Sequence, residues 1–464
     1  MTRLSSPWPA THWRATQGRI LAIAWPVMLS NITVPLLGLV DSAILGHLPD
    51  AVYLGAVAIG AQLFTLLCWS FGFLRMGTTA LTARSHNDAG QQQVLFNAIW
   101  LSLPLALLVM LAGAVLFPLV IPWMGASAEV SSGAREYLAI RMYSIPAVLL
   151  QYGLLGWFIG RGQTRVPLLI MTITNLVNGG LDALFVFGLG MTVDGVALGS
   201  VMADYSGTLL GLAFALKACN VRLGQLLPQH WLVIWQRRPA FEQLKPVIKV
   251  NHQLFVRTLT LLLVFAFFNA QGAQQSELIL ATNSLIITLL MLISNALDGI
   301  AHAAESLTGQ SLASRSREPD NHHHLLQVRS TLLLTGVNSL TLALLLTLVF
   351  ALGADQIWPL LTNNVQLLPV LADYQHWLIW LPLIGCWSYW LDGLCIGAGA
   401  TATMRNAMLA ATLLVFLPLW WFTRELQNTG LWLSFYAFLL ARGVFVIPFT
   451  IRLYKQPDIF APAV

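Results

Sequence analysis

Twelve long apolar segments, joined by mostly short polar connections, constrain this chain more than any other feature. They run at about 20–46, 53–82, 93–121, 136–160, 166–188, 194–217, 248–272, 279–307, 325–352, 369–397, 405–423 and 429–453. A helix needs roughly 20 apolar residues to cross a hydrocarbon core about 30 Å thick. In lipid every backbone polar group must be satisfied within the protein, which leaves helices and closed barrels. These runs are too long and too continuous for the alternating strands of a barrel. The fold class is therefore an all-α integral membrane protein. Only 9% of the residues are charged, against about 25% in soluble domains.

The basic residues fix the orientation. With the N-terminus in the cytoplasm, eighteen of the 24 Lys and Arg residues fall inside, and only Arg135 and Arg424 fall outside. This positive-inside bias puts both termini in the cytoplasm and supports an even number of spans. The net charge of +5 thus serves topology, and no nucleic-acid partner is expected. No G-x-x-x-x-G-K-[ST], H-E-x-x-H or G-x-S-x-G is present. An enzyme is not expected, and active transport by this chain would draw on an ion gradient. Cys68, Cys219, Cys386 and Cys395 lack metal-ligand spacing, so neither a metal nor a cofactor is expected. The polar stretch 1–17 has no signal-peptide h-region.

The longest cytoplasmic connection divides the spans six and six. The domains are read as an N-lobe 1–217, a linker 218–247 and a C-lobe 248–464. Trp231, Trp235, Arg237 and Arg238 suggest an interfacial amphipathic piece in the linker, in contact with membrane lipid. The halves carry a weak repeat. At a shift of 226, Gly46 falls on Gly272 and Thr82 on Thr308. At a shift of 237, Gly156-x-x-x-Gly160-x-Gly162-x-Thr164 falls on Gly393-x-x-x-Gly397-x-Gly399-x-Thr401. Two six-helix lobes of equal orientation are related by a pseudo-twofold along the membrane normal and enclose a central cleft. Asp41 maps to Phe267, Asp182 to Leu419 and Asn178 to Val415, so the acidic equipment of these positions is confined to the first half.

Asp41 lies in a greasy span, six residues after Pro35. A charged group at this depth costs about 2.5–3.5 kcal/mol or more. A chain keeps one where it lines a cavity, pairs or takes up a proton. Pro35 removes a backbone hydrogen bond and permits a bend. In the fifth span Asn175, Asn178 and Asp182 are spaced i, i+3, i+7 and share one helical face. That face belongs in the bundle interior. Asp41 and Asp182 are candidates for one site, and the asparagines either serve it or only tie helices together. In the second half Asp298 and Glu305 share a face of span 8, with Asp392 on span 10 and Arg257 on span 7. These four read as a polar network or as a cation site. The tract His322–His324 reads as a solvated loop.

Ser30-Asn-Ile-Thr-Val-Pro-Leu-Leu-Gly-Leu-Val-Asp-Ser-Ala-Ile-Leu-Gly-His-Leu48 resembles the first span of the multidrug and toxic compound extrusion family, in its DinF-like bacterial branch. Leu155–Gly160, Asn295–Glu305 and Tyr389–Ala398 resemble the same branch. The resemblance implies two lobes in a V, located in the bacterial cytoplasmic membrane and acting as a monomer. It implies export of diverse, often cationic or amphipathic drugs and toxic organic compounds, in exchange for protons. It also implies that Asp41 is the protonated residue, with Asp182 and Asn178 as partners, and that Tyr137 and Ser200 line the same pocket. Protonation would then bend span 1 at Pro35 and expel substrate. Sodium-coupled relatives place an acid in span 7, and none occurs at 249–272 here, which favours H+ while leaving Na+ open at Asp41, Asn178 and Asp182. A lipid-linked oligosaccharide flippase is the other alternative, disfavoured by the two acids.

Overall fold

A computed structural model describes residues 10–46, 51–124, 127–220, 241–318, 321–362 and 364–462. All regular structure in them is helical: α1 (Ala10–Gly46), α2 (Ala51–Ser70), α3 (Phe73–Ala83), α4 (Asp88–Val120), α5 (Ala128–Arg141), α6 (Ile145–Gly160), α7 (Arg165–Ala183), α8 (Val193–Ala218), α9 (Phe241–Gln275), α10 (Glu277–Arg317), α11 (His322–Leu361), α12 (Leu367–Gly397), α13 (Thr401–Ala410), α14 (Leu417–Thr423) and α15 (Gln427–Lys455). Several of the helices start where a side chain caps them. Asn87 accepts from the Gly90 amide at 2.8 Å, and Ser276 from the Ile279 amide at 3.1 Å.

Ten stretches of the described residues are long and apolar enough to cross a membrane. The last, Thr401–Lys455, holds 55 residues. Drawn straight it would reach roughly 80 Å at the α-helical rise, far more than one bilayer. Instead it reverses at Arg424–Leu426 and Gln427, whose φ is 51°, and makes two passages. Together with α1 this is consistent with twelve spans.

Several helices exceed their apolar segments. α10 continues to Arg317 and α11 to Leu361, and α9 begins at Phe241, inside the expected linker. The amphipathic piece expected around Trp231 and Trp235 lies outside the described residues. The second span breaks at Phe71–Gly72, where turn hydrogen bonds to Cys68 and Trp69 replace the helical ladder. Beside the connection after α10, His324 meets Glu318 at 3.2 Å and Asn321 donates to it at 2.9 Å. The bond from Asn321, then that from His324, holds the Glu318 carboxyl below its usual range.

The chain divides into two compact units. One contains Leu29–Thr82 and Asn87–Asn251 and is called here the first-half unit. The other, the second-half unit, takes the described residues up to Met28, with Ala83–His86 and those from His252 onward. The start of α1 thus groups with the second half, because Ile20, Ile23 and Ala24 bury against Ile300, Ala303 and Leu307. Gln17 and Asn338 exchange paired amide bonds of 2.8 and 2.9 Å in the same unit.

The repeat has a physical basis. In the first-half unit a Cβ on Gly156 would overlap the carbonyl oxygen of Arg75, and in the second-half unit one on Gly393 would overlap that of Ala301. Arg75 and Ala301 are themselves 226 apart. Gly162 and Gly399 end their helices at φ 74° and 70°, the left-handed region that glycine enters without strain. Gly393→Ala is expected to lose about 1–3 kcal/mol through this backbone clash. A drop in the thermal midpoint of the purified protein would show it, and an unchanged midpoint would mean that α10 and α12 slide apart at little cost.

The cores differ in chemistry. Trp157, Phe158, Leu154 and Ile170 fill the first-half unit, where Trp157 Nε1 donates to the Gln91 carbonyl at 2.8 Å. The second-half core is aromatic, with Phe268 edge-on to Trp432 at 4.8 Å. Asn283 and Asn428 exchange amide bonds of 2.8 and 3.1 Å there, and Trp432 Nε1 donates to Asn283 at 2.8 Å. A buried polar knot of this kind fixes register, because each amide is costly to leave unpaired.

Candidate functional site

α7 carries the polar stripe, and α8 closes over it. Asp182 is 0% exposed, Asn178 2% and Ser200 7%. Asn178 Nδ2 donates to Asp182 Oδ2 at 2.9 Å and to Ser200 Oγ at 3.3 Å. The Asn178–Asp182 bond spans one helical turn, as the i, i+4 spacing allows. α8 approaches this closely because residue 199 is glycine: a Cβ there would strike the Asp182 carboxylate. Gly207, two turns on, likewise leaves room for Thr174 and Gln151, both buried.

The structure therefore brings Asn178, Asp182 and Ser200 together. Asn175 sits one turn before Asn178 on the same helix and is half-buried. Tyr137 is buried on α5, with its ring against Gly60 of α2. Asp41 and Pro35 both lie on α1, and their side chains lie outside the described residues.

Two features of this unit were not singled out in the sequence. Asp204 pairs with Arg141 at 2.7 Å, and both side chains are largely buried. Arg141 also donates to Ser144 Oγ at 2.7 Å and lies 4.0 Å over the Phe64 ring. Asp204 is one turn beyond Ser200, and Arg141 one turn beyond Tyr137. An aspartate in an apolar span was the available signal. The other feature is a π-helical segment, Leu184–Gly188, directly after α7. A second, Ala411–Phe416, follows α13 in the equivalent span of the other half. Such wider turns cluster at functional sites, and nothing in their residue types announces them.

In the second-half unit Asp392 Oδ2 accepts from Arg257 Nη2 and from Arg442 Nη2, each at 2.6 Å. Arg442 was not among the residues expected there. Glu305 meets His302 Nδ1 at 3.0 Å. Phe267, the counterpart of Asp41, packs edge-on against Trp420 at 4.9 Å and Phe416 at 5.7 Å.

Comparison with known proteins identifies the family. A family model described as MatE matches residues 26–184. The chain is 36% identical to DNA damage-inducible protein F of Escherichia coli K12 over 448 residues, which is 95% of this chain and 93% of that one. The chain belongs to the multidrug and toxic compound extrusion family, in its DinF-like branch. Members of this family are transporters. A probable multidrug resistance protein NorM of Thermotoga maritima is 26% identical over 222 residues, covering 46% of this chain and 47% of that one. The fold is shared with the Vibrio cholerae MATE transporter VcmN in its bent form, at a TM-score of 0.82 and 16% identity, over 97% of this chain and 100% of that one. As a MATE protein the chain is a multi-pass membrane protein.

Proposed function

We propose that this chain exports diverse organic compounds, cationic or amphipathic in character, across the bacterial cytoplasmic membrane in exchange for protons. It acts as a monomer with both termini in the cytoplasm. Asp41 takes up the proton, Asp182 and Asn178 are its partners, and Asn175, Tyr137 and Ser200 contribute polar surface to the same site. The observation that carries this reading is the buried Asp182–Asn178–Ser200 cluster in an otherwise apolar unit. A relative's name, probable multidrug resistance protein NorM, supplies the substrate class.

The repeat supports placing Asp41 beside this cluster. Phe267 touches Phe416 and Trp420. Shifted by 226 and 237, that contact becomes Asp41 against residues 179 and 183, which bracket Asp182 on α7. Where the second half stacks aromatic rings, the first half would gather carboxylates. Carboxylates in a dry site bind either a proton or an organic cation, and each ligand weakens the other. That competition is the coupling: protonation removes the charge that held the substrate. Pro35 leaves the carbonyl four residues earlier without its helical hydrogen bond, so α1 bends there at low cost.

Protons are favoured over sodium because the second-half aspartate, Asp392, already has its charge met by two arginines. In proteoliposomes loaded with a fluorescent organic cation, the wild type is expected to move protons on substrate addition in potassium buffer without sodium. Asp41→Asn is expected to abolish this. An absolute need for sodium, or undiminished proton movement in Asp41→Asn, would overturn the reading.

A further inference from the structure

Arg257 of α9 and Arg442 of α15 converge on one oxygen of Asp392, on α12. Arg257 is 7% exposed and Arg442 4%. A cross-link between helices needs one arginine per carboxylate. A second buried guanidinium adds a desolvation cost of several kcal/mol that this carboxylate already met once. The groups in contact carry two positive charges against one negative. Each guanidinium has five N–H donors, and the Nε–H of both arginines is buried without an acceptor among the described residues. An aromatic ring also faces the pair, with Arg442 5.6 Å from the Phe438 ring centroid.

We propose that Arg257 and Arg442 form an anion-binding site in the second-half unit, taking a monovalent anion, either a halide or the carboxylate of an organic solute. An anion meets the unmatched positive charge and accepts from the spare N–H groups, in the bidentate manner that guanidinium groups favour. Asp392 sets its strength by cancelling one of the two charges. The site uses no residue of the proton-coupling cluster, so it stands whether or not that assignment holds.

The test follows the thermal midpoint of the full-length protein in detergent at constant sodium, with methanesulfonate, which is neither a halide nor a carboxylate, replaced by chloride or by benzoate. The wild-type midpoint is expected to rise saturably with at least one of these anions, since a ligand that binds only the folded state stabilises it. A response to chloride assigns a halide, and a response to benzoate alone assigns the carboxylate of an organic solute. Asp392→Asn leaves both charges unopposed and should tighten half-saturation at least about tenfold. Arg442→Gln should remove the response, and Arg442→Lys, which keeps the charge, should retain part of it. If Arg442→Gln does not fold, wild-type crystals grown in bromide, or in 4-bromobenzoate where benzoate alone responds, should show anomalous density beside the two guanidinium groups. No saturable response in the wild type, an equal response in Arg442→Gln, or no bromine signal at the arginines from the anion that responds would overturn the proposal.

Discussion

Asp182→Asn is expected to reduce proton-coupled efflux by about 10²-fold or more, the scale on which removing a positioned proton-transfer group acts. The substitution is nearly isosteric. The asparagine oxygen still accepts from Asn178 Nδ2, now at 2.9 Å to Asp182 Oδ2, so the α7 face and its packing on Gly199 are kept. What disappears is the carboxylate, and with it one of the two groups able to hold a proton or an organic cation. The thermal midpoint should therefore stay close to wild type while flux collapses and its pH profile flattens. Asn178→Ala should act in the opposite proportion. It removes an amide hydrogen bond to a buried carboxylate, which is worth about 1–3 kcal/mol, yet leaves the titrating group in place, so efflux should persist with a shifted pH profile. Transport by Asp182→Asn at the wild-type rate, with an unaltered pH dependence, would remove Asp182 from the coupling site and leave Asp41 alone.

These two expectations rest on features with different visibility in the sequence. The stripe Asn175, Asn178, Asp182 is legible because helical periodicity fixes a shared face, and the structure adds only that Ser200 completes it. Gly199 carries no such signal: its value lies in the absence of a side chain opposite a carboxylate, which requires knowing that α8 lies over α7. The glycine repeat was legible as a pattern, but its cause, backbone contact with Arg75 and Ala301, is tertiary. Asp204 was readable by the same reasoning that singled out Asp41, since both are acids in apolar spans. In the second half, helical spacing put Glu305 on one face with Asp298, in a network read to include Asp392 and Arg257, and the structure adds a partner three residues before it, His302. Local partners within one turn outcompete distant ones whenever the helix already places them in reach.

The same competition decides what happens when Asp392 is lost. Asp392→Ala is expected to destabilise the protein by about 3–5 kcal/mol, the range for breaking a buried ion pair by removing one partner. It leaves Arg257 and Arg442 buried and facing each other, with no carboxylate between them and with α9, α12 and α15 no longer joined at that point. The side chain of Asp392 is only 13% exposed, so solvent does little to screen the repulsion. Replacing all three groups with apolar residues, as in Arg257→Met, Asp392→Leu, Arg442→Met, should recover most of the loss, because the uncompensated charges go with the carboxylate. Thermal midpoints measured in methanesulfonate separate these cases. A triple variant as unstable as Asp392→Ala would mean that the three helices depend on the ionic bonds themselves for their packing. A wild-type midpoint for Asp392→Ala would mean that both guanidinium groups reach other acceptors, and the excess positive charge inferred for this site would then be absent.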